Sequence, residues 1–226
     1  ADKPDMIHIF GTEFPHTLAA VRAFDNPKRT LIGIQGLCHD IAKVYMADLP
    51  EKVQNMVTLR DFLRKDSLKQ QQEKFIKRGE YEIEAIEKTG YITGRTAFDR
   101  RGTSYVNERA IYYRMNETMR DSFYEGEWDR NACEEHSIFL GQGDYPLKGL
   151  HFLLEAMPRI LAMYPDTRLY VAGNRITAHH TLKEKIKLPA YGKYLLTLIR
   201  RYHLEDKVTF TGNLPEQEMK ERFLKS

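Results

Sequence analysis

The sequence predicts an α/β fold with parallel sheets, and three observations carry that prediction. Short, nearly continuous apolar runs end on glycine or glutamine-glycine, as buried parallel strands do. Amphipathic helical stretches separate those runs. The alternation occurs on both sides of an irregular middle segment, the pattern of strand-helix-strand units rather than of a sandwich or a bundle.

The elements follow in order. Met6 to Phe10 reads as a strand ended by Gly11, and Thr30 to Ile34 as a second ended by Gln35-Gly36. Between them Pro15 to Phe24 can form a short helix, stopped at Asn26-Pro27. A long polar helical stretch runs from about Val53 to Lys88, with a break expected near Gly79. Leu59, Phe62, Leu63, Phe75, Ile83 and Ile86 supply its apolar stripe. Tyr91 to Thr93 is the next strand. Periodicity is weak from Gly94 to Glu135, where aromatics are scattered.

From Ser137 the pattern is regular again. Ser137 to Leu140 is a strand and Gly141 to Leu147 a loop. A helix then carries Leu150, Leu153, Leu154, Met157, Ile160, Leu161 and Tyr164, with Pro158 expected to kink it or tighten its middle. Arg168 to Ala172 is a strand ended by Gly173-Asn174, a helix follows around Tyr194 to Tyr202, and Val208 to Phe210 is a strand. Pro215 opens a last helix, with Glu216 and Glu218 in its first turn as the helix dipole favours. The regular pattern resumes near residues 130–136, so two domains are expected, 1–133 and 134–226. Neither holds the five or six strands of a complete doubly wound half.

Composition excludes several classes. The 226 residues are 42% hydrophobic and 30% charged, and no apolar run approaches the roughly 20 residues that span a bilayer. The chain has 35 Lys and Arg against 32 Asp and Glu, a net charge of +3. The two signs are interspersed, which argues against a nucleic-acid partner. Cys38 and Cys133 show no metal or redox spacing and read as buried thiols of a reducing, cytoplasmic setting. The chain begins at Ala1 and ends at Ser226 within a helical pattern, so a portion of something longer is expected.

The chemistry concentrates in Ser137 to Ala156, SIFLGQGDYPLKGLHFLLEA. A strand feeds a glycine-containing loop, and Lys148 stands where a helix begins. Ligands of open α/β sheets bind at the carboxyl ends of strands, where helix N-termini offer unpaired N–H groups and partial positive charge. A lysine there suits a diphosphate; it equally fits an ordinary surface turn. Gly173 and Gly212 follow the next two strands and would share that rim. Glu13, His16, Gln35 and His39 follow the two strands of the first half. Arg95, Asp99 and Arg100 form a further polar cluster. His179-His180 have no acidic residue or cysteine at ligand spacing, so no metal site is expected.

The runs DMIHIFGTEFPH, LIGIQG, GRTAFDRRG, MNETMRDSFY and IFLGQGDYPLKGLHFLLEAMPRILAMYPDTRLYVAGN, followed by VTFTGNLP, resemble family-4 retaining glycosyltransferases, in particular the branch of bacterial polysaccharide assembly. The likeness covers essentially the whole chain. It implies the GT-B fold, two facing Rossmann-like domains, both incomplete here. The implied donor is a nucleotide diphosphate-sugar held by the C-terminal domain, and the implied acceptor is a glycan or a lipid-linked glycan, with peripheral membrane association open to the longer protein.

Residue by residue, Lys148 matches the lysine that neutralises the donor diphosphate. Gln142, beside Gly143, stands where an arginine is usual, so one charge is missing. Gly173 and Asn174 match the turn after the second strand, and Thr211, Gly212 and Asn213 the segment beside the base. Gln35 stands where many relatives carry a catalytic histidine, and His39 is its nearest substitute. Glu13, His16 and Arg95 fall on the acceptor side. The family's first strand and glycine-rich loop would precede Ala1, and its paired glutamates would follow Ser226. The resemblance therefore implies part of a hexosyltransferase, inactive alone and needing no metal or cofactor. A nucleotide-sugar epimerase of the same architecture, or a non-catalytic module binding a nucleotide or a partner, are the rival readings.

Overall fold

The computed structural model describes residues 4–226; the expected start of the first domain at residue 1 lies outside them. In chain order, β1 (Ile7–Phe10) leads through α1 (His16–Phe24) to β2 (Thr30–Gly33) and α2 (Cys38–Val44). Two short helices follow, α3 (Glu51–Gln54) and α4 (Leu59–Arg64), then the long α5 (Leu68–Glu87), β3 (Tyr91–Gly94), α6 (Ala97–Val106) and β4 (Ile111–Arg114). The remainder is β5 (Ser137–Leu140), α7 (Leu150–Met163), β6 (Arg168–Ala172), α8 (Leu182–Ile186), α9 (Ala190–Arg201), β7 (Val208–Gly212) and α10 (Glu216–Lys225).

The fold class is α/β. One sheet has the order β1-β2-β3-β4 and the other β5-β6-β7, and every strand pair in both is parallel. Among the described residues the compact units are 4–45 with 70–118, and 46–69 with 119–226. The chain thus enters the second unit twice, where the sequence suggests one passage at 133/134.

The first unit buries Ile9, Ile32 and Ile92 from three neighbouring strands against Leu18 and Val21 of α1 and Ala85 and Ile86 of α5. Each strand contributes one isoleucine at a matching register position, Ile9 opposite Ile32 and Ile32 opposite Ile92. The second unit buries Leu150, Leu154 and Met157 of α7 against Leu169 and Val171 of β6 and Leu195, Leu198 and Ile199 of α9. Leu49, Val53 and Leu68 join the same core, which is why residues 46–69 belong there.

Several local expectations are corrected. The polar stretch is not interrupted at Gly79, which lies inside α5. A Cβ at Gly79 would come within 2.7 Å of the His39 Cα, so the glycine permits close approach of α5 to α2. The real breaks lie on either side of α4. Thr58 and Asp61 form a capping box at its start, and Lys65 ends it in the left-handed conformation with φ 49°. Pro158 lies inside α7, as the sequence predicts. The irregular middle contains α6 and β4, which apolar periodicity does not reveal. Cys38 is buried, and burial foremost, then Glu82 and Glu13, push its thiol up to about 12; Cys133 is half-exposed rather than buried.

Candidate functional site

In the second unit the carboxyl ends of β5, β6 and β7 bring together most of the residues singled out for donor binding. A β-bulge aligns Ala172 with Gly212 and leaves Thr211 without a partner in the ladder. The Thr211 hydroxyl donates instead to the Val171 carbonyl at 3.3 Å. Gly212, at φ 79°, turns the chain away, and Gly173, at φ 111°, does so after β6.

Three strand ends are tied by main-chain hydrogen bonds. The Gly143 amide donates to the Ala172 carbonyl at 3.1 Å, and the Gly173 amide to the Gly212 carbonyl at 3.1 Å. Both amides are therefore committed within the protein. Gly143 is glycine for packing, since a Cβ would lie 2.6 Å from Val171 Cγ1 and 2.9 Å from Leu150 Cδ2. Asp144 reaches across, its Oδ2 accepting from the Asn174 amide at 3.3 Å and from the Asn174 side chain. Asn213 donates its side-chain N–H to Asn174 Oδ1 at 3.4 Å. Asp144, unremarked in the sequence reading, is the buckle of this rim. Its other oxygen is buried without a partner.

Lys148 ends a 3-10 turn, Pro146 to Lys148, and Gly149 at φ 74° starts α7. Its side chain is exposed, and Nζ lies 5.4 Å from the centre of the Tyr145 ring. No acid pairs with it among the described residues. The N-terminus of α7 has no side-chain cap, whereas α4, α6 and α8 are closed by threonine capping boxes. Gln142 and Asn174 are exposed on the same rim. Arg175, missed in the sequence because it follows the expected turn, lays its guanidinium over Gly212, where a Cβ would be 3.0 Å from Nε.

In the first unit Glu13, Gln35 and Arg95 come together. The Glu13 carboxylate folds back over Gly11, beside Gln35 Oε1, where φ is 81°. Arg95 donates to the Gln35 carbonyl at 2.9 Å and pairs with Glu117 at 2.7 Å. His16 stands apart at the start of α1, exposed and stacked 5.9 Å from Phe14.

His39 is not a free rim group. Its Nδ1 is 2.5 Å from Glu82 Oε2, and its backbone N–H donates to the same oxygen at 3.0 Å. The other Glu82 oxygen accepts from the Thr12 hydroxyl. Glu82 is 1% exposed, a buried carboxylate that joins α2, α5 and the turn after β1. It escapes sequence reasoning because it sits in a charged stretch of α5, next to Ile83, where a glutamate normally faces water.

No group of three or more His, Cys, Asp or Glu among the described residues is placed to hold a metal ion. No helix among them is long and apolar enough to cross a membrane.

No curated protein matches the chain. The family model described as glycosyl transferases group 1 matches residues 126–226. The match covers the second unit from before β5 to its end, and it supports glycosyl transfer as the chemistry of this domain.

Proposed function

We propose that the rim of β5, β6 and β7 binds the diphosphate of a nucleotide-sugar donor, and that the protein of which this domain is part transfers the sugar to a glycan or lipid-linked glycan acceptor with retention of configuration. The observation that carries this reading is Lys148: a cation without an acidic partner among the described residues, beside a helix start without a side-chain cap.

Charge builds on the bridging oxygen as the glycosidic bond to the diphosphate breaks. An ammonium and helix N–H groups already fixed there stabilise the transition state more than the bound donor, which is the condition for acceleration. Neutralisation by these groups leaves no step that calls for a metal. The Asp144–Asn174 contact holds the β5 and β6 loops in register, and the exposed Asn174 and Asn213 side chains offer polar groups to sugar or base. Arg175 supplies positive charge to the rim, where Gln142 does not. Gln35, Glu13 and Arg95 are assigned to the acceptor side, and His39 is a packing group that orders α2.

A panel of nucleoside diphosphates and nucleotide sugars, scored by thermal stabilisation of the protein, tests this. Stabilisation by one base series that is lost in Lys148→Ala supports the reading. No stabilisation by any member overturns it.

A further inference from the structure

Beside α6, in the first unit, lies a cavity of about 640 Å³ lined by Arg95, Thr96, Ala97, Arg100, Tyr112 and Arg114. Its size falls within the roughly 300–1,000 Å³ of small-ligand sites, and it opens at the carboxyl ends of β3 and β4, where open parallel sheets bind ligands. Three guanidinium groups line one space, and only one of them is neutralised. Arg95 pairs with Glu117 at 2.7 Å. Arg100 and Arg114 have no acidic or other side-chain partner among the described residues, in contrast to Arg22, Arg60 and Arg222, each paired within 3.0 Å.

The nearby carboxylate, Asp99, offsets part of their charge from beneath the surface. Asp99 is 5% exposed, and its Oδ2 is committed to the backbone N–H groups of Arg95 and Thr96, at 2.9 Å each. Tyr112 lines the cavity, and its hydroxyl donates to the Thr96 carbonyl at 3.4 Å. Burial first, and Asp99 second, raise its pKa, while Arg100 and Arg114 both act to lower it. Both arginines line the same cavity as that phenol. Three guanidiniums against the two carboxylates Asp99 and Glu117 leave positive charge on this cavity, which a bound anion would balance.

We propose that this cavity is a binding site for a phosphoryl group, gripped by Arg100 and Arg114, with Arg95 and the Tyr112 hydroxyl as further donors. The planar guanidinium fork matches phosphate oxygens in pairs. The site is separate from the Lys148 rim and does not depend on the donor reading. Its ligand is a phosphate ester or diphosphate, either of a soluble sugar or of a lipid.

The test uses inorganic pyrophosphate, titrated calorimetrically at low salt into the full chain carrying Lys148→Ala, which removes the cation on which the donor reading rests. Binding should be present, should weaken as salt rises, and should fall at least tenfold when Arg100→Gln and Arg114→Gln are added. The added pair should leave the melting temperature of the unliganded chain unchanged. Unchanged pyrophosphate affinity in the triple variant overturns the proposal, and so does equal binding of citrate, which would make the site a general anion patch. Competition by glucose 1-phosphate or by farnesyl diphosphate then separates a soluble from a lipid source, and failure of both to compete overturns it. Because the donor panel reads Lys148 and this titration reads Arg100 and Arg114, either idea can fail while the other stands.

Discussion

Asp61 and Ala190 are 129 residues apart and joined by one hydrogen bond, the Ala190 amide donating to Asp61 Oδ2 at 3.0 Å. Asp61 is 1% exposed, and it also accepts from the Thr58 amide at 3.2 Å and from Arg60 at 3.0 Å. A residue of the short α4 thus closes the N-terminus of α9, where a carboxylate is favoured by the helix dipole.

Asp61→Ala should lower the stability of the second unit by about 3 kcal/mol, because it leaves the Ala190 and Thr58 amides unsatisfied in a buried place, while Arg60 keeps its pair with Asp66. Urea unfolding followed by circular dichroism measures this. A loss under about 1 kcal/mol, within the range of an ordinary surface substitution, would show that the contact is incidental.

Lys148→Ala should weaken nucleoside-diphosphate binding by about 1.5–3 kcal/mol, the worth of a hydrogen bond to a charged group. Calorimetry at low salt reads it directly. Equal affinity in the variant removes Lys148 from the site.

Nucleoside-diphosphate affinity should be the same in EDTA as in millimolar Mg²⁺ or Mn²⁺, since the proposed neutralising groups are side chain and helix N–H. A tenfold loss in the chelator would mean that a metal bridges the diphosphate.

Gly79→Ala should destabilise the first unit by about 1–2 kcal/mol. The new Cβ would meet His39 Cα at 2.7 Å and His39 N at 3.0 Å, and backbone cannot rotate aside as a side chain can. That overpacking outweighs the gain of about 1 kcal/mol in helix propensity. A more stable Gly79→Ala chain would contradict the close approach of α2 and α5.

The grip on α10 should weaken in acid. The hydrogen bond from Arg222 foremost holds the Glu134 carboxyl below its ordinary value, and the two groups lie 2.8 Å apart. A carboxyl depressed in the folded state stabilises fully above its unfolded value of about 4.3 and ceases to do so as pH falls through the lower folded value. The protection of the amides of residues 216–225, measured against their intrinsic exchange, should therefore fall more steeply below pH 4 in the parent than in Glu134→Gln. Identical profiles would remove Glu134 as the acid-sensitive group.

Among the strands legible in the sequence, β2 and β3 are the most deeply buried. Ile32 and Ile92 are 0% and 1% exposed, and no charged residue interrupts their runs. β4 was not legible because Ile111 and Tyr113 face solvent, so IYYR carries neither continuous apolarity nor clean alternation. α6 hides for a different reason: its buried positions include Asp99 and Thr103, which a hydrophobic stripe does not mark. Its start was readable, because Thr96 and Asp99 have capping-box spacing. The rim glycines and Lys148 were legible from local pattern alone. Glu82, Asp144 and Arg175 were not, since each matters through a contact 30 or more residues away, and no local spacing encodes such a contact.

The double passage through the second unit bears on how the chain is made. Residues 46–69 leave the ribosome long before β5, α7 and α9 exist, so Leu49, Val53 and Leu68 have no core to enter while the first sheet is already closing. Closing contacts such as that between Asp61 and Ala190 carries the loop-closure entropy of a span of more than a hundred residues. The first unit also interrupts the second, so it must fold with a tethered, unsatisfied segment. Val57, Leu59, Phe62 and Leu63 remain more than half exposed even in the finished fold. During synthesis that stretch is the natural landing place for a chaperone, and a stalled or truncated product ending before α9 would carry it as an aggregation hazard.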